Sequence, residues 1–201
     1  MSEKREAALM EAPKYFRTEP VRLPPTRVDR ENNQIHGFAV ITRGEALGHY
    51  EWVDEFALEQ VVELGNAFGD RGVKVRFTHP GLSSDGMGKF LGRAKEFFRD
   101  EVNPDIVRAR LDISKAASKS PSGDLADYVM SLAEDDPEMF GASIVFSSDR
   151  KAEREFENEN TVAEEDEVGE VLNRFQSPDP LNEKNFTHIR LKSLRAADIV
   201  D

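Results

Sequence analysis

The sequence predicts an α+β fold: a mainly antiparallel sheet or small β-barrel with helices packed outside it. Two observations point there. Two strand stretches, Val73 to Phe77 and Ile106 to Ser114, alternate in character, and two stretches, after Asp54 and after Ser122, show helical spacing. The elements follow one another as hairpin, helix, three strands, helix, strand and strand, which suits one antiparallel layer covered by helices. At 201 residues the chain fits one domain with a buried core.

Residues 1–25 read as an N-terminal extension, because Pro13, Pro20, Pro24 and Pro25 forbid a long helix. Regular structure begins at Thr26-Arg27-Val28. The turn residues Arg30-Glu31-Asn32-Asn33 then lead into a strand over Gln34 to Thr42, with Ile35, Phe38, Val40 and Ile41. Asp54 stands at an N-cap position. Phe56, Ala57, Val61, Leu64 and Phe68 follow at helical spacing, with Gly65 and Gly69 as stops. Val73 to Phe77 is a short strand that delivers His79 to a Gly- and Ser-rich loop, Gly81 to Gly88. Lys89 to Arg99 and Ile106 to Ser114 are two further strands. In the second, Val107, Ala109, Leu111 and Ile113 alternate with Arg108, Arg110 and Asp112, one face buried and one wet. Ser122 is a cap candidate for a helix bearing Leu125, Val129 and Leu132, which Pro137 closes. A strand over Met139 to Phe146 carries the lone Ser143 among apolar neighbours. Residues 26–150 form the expected core. Residues 151–185 form an acidic linker or insertion, and 186–201 a closing strand. Lys151 to Glu170 holds nine acids against two bases, so a solvated loop is expected there.

Composition narrows the partners. A net charge of -12 argues against nucleic acid and against anionic membrane surfaces. No apolar run reaches the ~20 residues of a membrane helix. The charged start Met1 to Glu6 precedes no hydrophobic segment, so no secretory signal is expected. Without cysteine there is no disulfide, thiol nucleophile or thiolate-held metal, and a cytosolic protein is expected. The four histidines, His36, His49, His79 and His188, form no metal-binding motif, so no metal and no cofactor is expected.

His79 is the candidate base. Pro80 keeps it extended at a strand end, and imidazole titrates where a proton can be taken and returned. Ser143 is the candidate nucleophile, although the surrounding Gly141-Ala142-Ser143-Ile144-Val145 is not a Gly-x-Ser-x-Gly elbow, which disfavours an α/β-hydrolase. A third member to orient the base is open among His49, Asp54, Asp85 and Asp198. Asp54 has a competing task as a cap, and Asp198 interrupts an apolar strand, which demands a partner if it is buried.

The run from Gly44-Glu45-Ala46-Leu47-Gly48-His49 through Arg76-Phe77-Thr78-His79-Pro80-Gly81 resembles the tailed-phage prohead, or capsid maturation, serine proteases. So do Lys89-Phe90-Leu91-Gly92-Arg93-Ala94, Gly141 to Phe146 and the closing Leu194 to Asp201. The likeness includes the capsid scaffolding proteases and covers roughly residues 28–150 plus the last dozen. It implies an assemblin-like small barrel surrounded by helices, with Ser143 as nucleophile and His79 as base. The scaffolding proteases have an aspartate ahead of the first helix where this chain has His49. The assemblins use a second histidine, though after the serine in chain order. His49 is therefore the expected third member, with Asp198 behind it. The resemblance further implies a homo-oligomer inside the immature capsid in the host cytoplasm. Its substrates there are scaffold protein, major capsid protein and finally itself. A non-catalytic assembly module that kept the fold is the alternative. The acidic insertion has no counterpart in the resemblance, and a loop near the site or a self-cleavage region both fit it.

Overall fold

The computed structural model describes residues 14–16, 18, 25–78, 87–137, 141–165 and 171–200. They form a mixed α+β structure, about 45% strand, with three helices. In chain order the elements are β1 (Lys14–Phe16), β2 (Arg27–Asp29), β3 (Gln34–Thr42), β4 (Gly44–Ala46), β5 (Glu51–Val53) and α1 (Glu55–Asn66). Next come β6 (Val73–Arg76), β7 (Phe90–Arg99), β8 (Ile106–Ile113), α2 (Leu125–Asp135), β9 (Gly141–Ser148) and α3 (Arg150–Glu159). The hairpin β10 (Thr161–Glu165) and β11 (Val171–Phe175) precedes β12 (Thr187–His188) and β13 (Leu191–Val200). The expected N-terminal extension before Lys14, the Gly-rich loop from His79 to Gly86, and Met139-Phe140 lie outside the described residues.

The main sheet runs β1-β9-β13-β6-β7-β8-β3-β2, antiparallel except where β13 meets β6. The expected barrel is not closed. β1 and β2, three residues each as described, end the sheet and make no ladder with each other. Curl comes instead from bulges, such as the register shift between Lys95 and Phe98 on β7, where Glu96 takes φ 54°. The sheet rolls far enough to bring β3 against β9 without pairing them. A second sheet, β12-β5-β4, and the separate β10–β11 hairpin complete the strands.

The apolar half of the alternation expected in β8 is present, with Val107, Ala109, Leu111 and Ile113 entering the core beside Ile35 and Phe38 of β3 and Leu91 of β7. The expected wet face is not: Arg108 is buried and Arg110 and Asp112 are half-buried. β7 and β8 approach so closely at Gly92 that a Cβ there would stand 2.1 Å from the Asp112 carbonyl oxygen. Helix α1 starts where the sequence puts it, with the Asp54 carboxylate accepting the Ala57 N–H at 2.9 Å. It runs through Gly65 instead of stopping there, because that missing side chain makes room for the Phe97 ring of β7. The cap of α2 is Asp124, which accepts the Asp127 N–H at 2.9 Å, and not Ser122.

Two expectations change at the C-terminal end. In the acidic stretch, the described residues 151–165 are regular, forming most of α3 and then β10. Asp149 caps α3 through the Lys151 and Ala152 N–H groups, Lys151 pairs with Glu155 one turn on, and Phe156 packs on His188. A charge count hides this, since one aromatic per helix face is enough to dock it. The expected closing strand is instead central, held between β9 and β6, and Thr187–His188 belongs to the other sheet through β5. No helix among the described residues is long and apolar enough to cross a membrane.

Candidate functional site

β13 is the strand on which the predicted residues converge. Its ladder with β9 sets Asp198 opposite Ser143 and Ile199 opposite Ala142. On its other side β6 pairs at Lys74, and the contact continues through a bridge from Phe77 to Ile199 and a 2.8 Å bond from the Thr78 N–H to the Ile199 carbonyl. The strand carrying Ser143 and the chain leading into His79 thus flank adjacent residues of β13. Two strand spacings, roughly 10 Å, separate their backbones. His79 itself, like Asp85, lies outside the described residues.

The turn into His79 is conformationally costly. Thr78 adopts φ 60°, which costs a β-branched residue about 1–3 kcal/mol. Two contacts hold it: the bond to Ile199 and a 2.9 Å bond from Lys89 Nζ to Thr78 Oγ1. Strain of this kind collects where a chain must be aimed.

Ile144, Phe146, Ala197 and Ile199 belong to the apolar core, so by alternation Ser143 and Asp198 face the other way. Both are nonetheless buried, Ser143 with 2% exposure and Asp198 with none. As directly opposed residues their Cβ atoms stand roughly 5 Å apart. Arg76, in β6, reaches the Asp198 carboxylate with both arms of its guanidinium, Nε to Oδ1 at 2.8 Å and the second nitrogen to Oδ2. Lys74 lies one pleat back on the same face. Burial holds its ammonium below the usual lysine range, and the Arg76 and Arg93 charges add to this against the pull of Asp198. The register therefore brings Ser143, Asp198 and Arg76 into one polar row. His49 is exposed in the β4–β5 turn of the smaller sheet, its backbone N–H bonded to the Ala46 carbonyl at 3.0 Å.

A second polar cluster forms where β12, α1 and the segment after β11 meet. His188 is 2% exposed, beneath the rings of Phe156 at 4.7 Å and Phe175 at 6.0 Å. Its Nδ1 lies 2.6 Å from Asp54 Oδ2, and its Nε2 lies 2.7 Å from Ser177 Oγ and 3.3 Å from Asn182 Nδ2. Asn182 is oriented by Phe186, whose N–H it accepts at 3.0 Å and whose carbonyl it bonds at 2.7 Å, so its NH₂ group faces the imidazole. Nε2 must then be the acceptor and Nδ1 must carry the proton, given to Asp54. Arg190 also binds Asp54, at 3.0 and 3.1 Å. Burial pushes the Asp54 carboxyl up, but the His188 bond, the Arg190 charge and the Ala57 N–H outweigh it and hold the group below its ordinary value.

Next to it, Asp179 accepts from Trp52 Nε1 at 2.8 Å and from Arg43 at 2.8 and 3.0 Å. Burial raises its carboxyl too, and the Arg43 and Trp52 bonds reverse that shift. Sequence patterning assigns Asp54 to a cap and His188 to a strand. It offered no sign that 134 residues apart they would touch, because no fixed spacing joins a cap on one element to a histidine on another. The one available cue was a histidine beside Ile189 in an apolar strand, a position that calls for a polar partner. Comparison of the chain with protein-family models, with curated proteins and with solved structures finds no match.

Proposed function

We propose that this chain is a serine endopeptidase that processes scaffold and capsid proteins during phage head maturation, with Ser143 as nucleophile and His79 as base. One observation carries the reading: β13 pairs with the Ser143 strand at Asp198 and, one residue on, holds the backbone that enters His79. The order and spacing of the prohead-protease-like motifs support it, and relate the rolled open sheet to the assemblin-like barrel. In this reading Ser143 Oγ attacks the scissile carbonyl carbon while His79 takes the hydroxyl proton and passes it to the leaving amine. Water then repeats the sequence to release the acyl group. The third role, orienting His79, falls to His49, with Asp198, which sits across from Ser143 and is bound by Arg76, behind it. The setting is a homo-oligomer within the immature capsid in the host cytoplasm, acting on scaffold, on capsid protein and on itself.

Co-expression with scaffold and capsid proteins, read by gel and mass spectrometry, tests this. Cleavage by wild type is expected to disappear in Ser143→Ala and His79→Ala and to fall in His49→Ala and Asp198→Asn. Unchanged processing in Ser143→Ala or His79→Ala removes that residue from the mechanism. The near-complete burial of Ser143 favours a second reading, a non-catalytic assembly module with the same fold. Capsid shells that form with the wild-type chain but show no cleavage would select it.

A further inference from the structure

We propose that Ser177, His188 and Asp54 form a second nucleophilic site, in which Ser177 accepts acyl groups from ester or amide donors. The three side chains already stand in a continuous hydrogen-bonded chain, hydroxyl to imidazole at 2.7 Å and imidazole to carboxylate at 2.6 Å. Serine, histidine and aspartate in this order and at these separations are what an activated hydroxyl requires, whatever their places in the sequence. Asn182 fixes the tautomer a base needs, with the unprotonated nitrogen toward the hydroxyl. The relay also has a direction. His188 is sealed under Phe156 and Phe175, and Asp54 is fixed by the Ala57 N–H and by Arg190. Ser177 is half-buried between the exposed Gln176 and Pro178, which makes it the least enclosed of the three.

The step balances within these groups. Ser177 Oγ bonds to the carbonyl carbon, its proton moves to His188 Nε2, and the carbonyl electron pair moves onto oxygen. When Nε2 gains that proton it no longer accepts from Asn182. Collapse breaks the bond to the leaving alcohol or amine, which takes the proton from Nε2. Water attacks the acyl-serine in the same way and restores the hydroxyl. Nothing here depends on Ser143 or His79.

A fluorophosphonate probe tests the site on the full chain. Attack forms an Oγ–P bond, expels fluoride and leaves the proton on His188, and tryptic mass spectrometry reads the Ser177 and Ser143 peptides separately. The expected result is labelling of Ser177 in folded wild type and in Ser143→Ala, with none in urea-denatured protein. In Asp54→Asn, which keeps the cap but cannot hold the same tautomer, labelling should slow at least ~100-fold. His188→Gln should do the same. An unlabelled Ser177 peptide in folded protein, or equal rates in folded wild type and Asp54→Asn, overturns the proposal and leaves a purely structural relay. Should the variants fail to fold, as judged by circular dichroism, the folded against denatured comparison in wild type decides alone. Label on one serine peptide and not the other separates this inference from the endopeptidase reading.

Discussion

Ser143 and Ser177 are placed by opposite means. Ser143 is set by strand register: two ladders and a buried Arg76–Asp198 pair define its surroundings, and the side chain lies nearly out of reach of solvent. Ser177 is set mainly by side-chain bonds, in an irregular segment pinned through His188, Asn185 and its own Asp179 turn, next to a backbone bond from Gln176 to Asn160. A ladder fixes backbone positions to fractions of an ångström but gives little choice of what a side chain meets. A loop stapled by hydrogen bonds can bring chemically matched groups into direct contact. The price is that each staple is a separate point of failure.

Breaking the row should have the largest effect. Arg76→Ala strips the buried Asp198 carboxylate of its bidentate partner and is expected to cost about 3–5 kcal/mol in urea unfolding. A cost under ~1 kcal/mol would mean that this pair does not organise the row. Breaking the relay should cost less. Asp54→Asn retains an acceptor for the helix cap but removes the charge that faces Arg190, and about 2 kcal/mol is expected by the same measurement. Asp54→Ala, losing cap and pair together, should exceed it. If the two variants are equal, the carboxylate acts through its charge alone.

The smallest effect is on the acid limb of stability. Asp54 and Asp179 both have carboxyls held below the ordinary value of about 4 in the folded chain. The stability they contribute is therefore complete above that value and is lost as pH falls through the lower folded values. Thermal melts from neutral pH down through this window should show a fall that is shallower in Asp54→Asn. An unaltered slope would assign the acid sensitivity to other carboxylates.

Much of the local structure could be read from residues. The apolar alternation of Val107 to Ile113, the cap at Asp54 and the turn at Arg30 to Asn33 are each settled within a few residues, and the structure has them. Helix α3 was hidden because Phe156 docks on His188, 32 positions later, and helical period means little in a segment with so few apolar groups. Barrel closure was hidden for a related reason. Edge pairing depends on the summed effect of bulges, and no single one of them announces itself in the sequence.

In the candidate sites, residue order sets which side chains are available and which strands carry Ser143 and lead to His79. The folded chain sets their neighbours. It puts Asp198 across from Ser143, and it joins Ser177, His188 and Asp54. The physical reason is range. Propensity and alternation act over a turn or a pleat, whereas hydrogen bonds between distant residues form only after the core has fixed where each element ends.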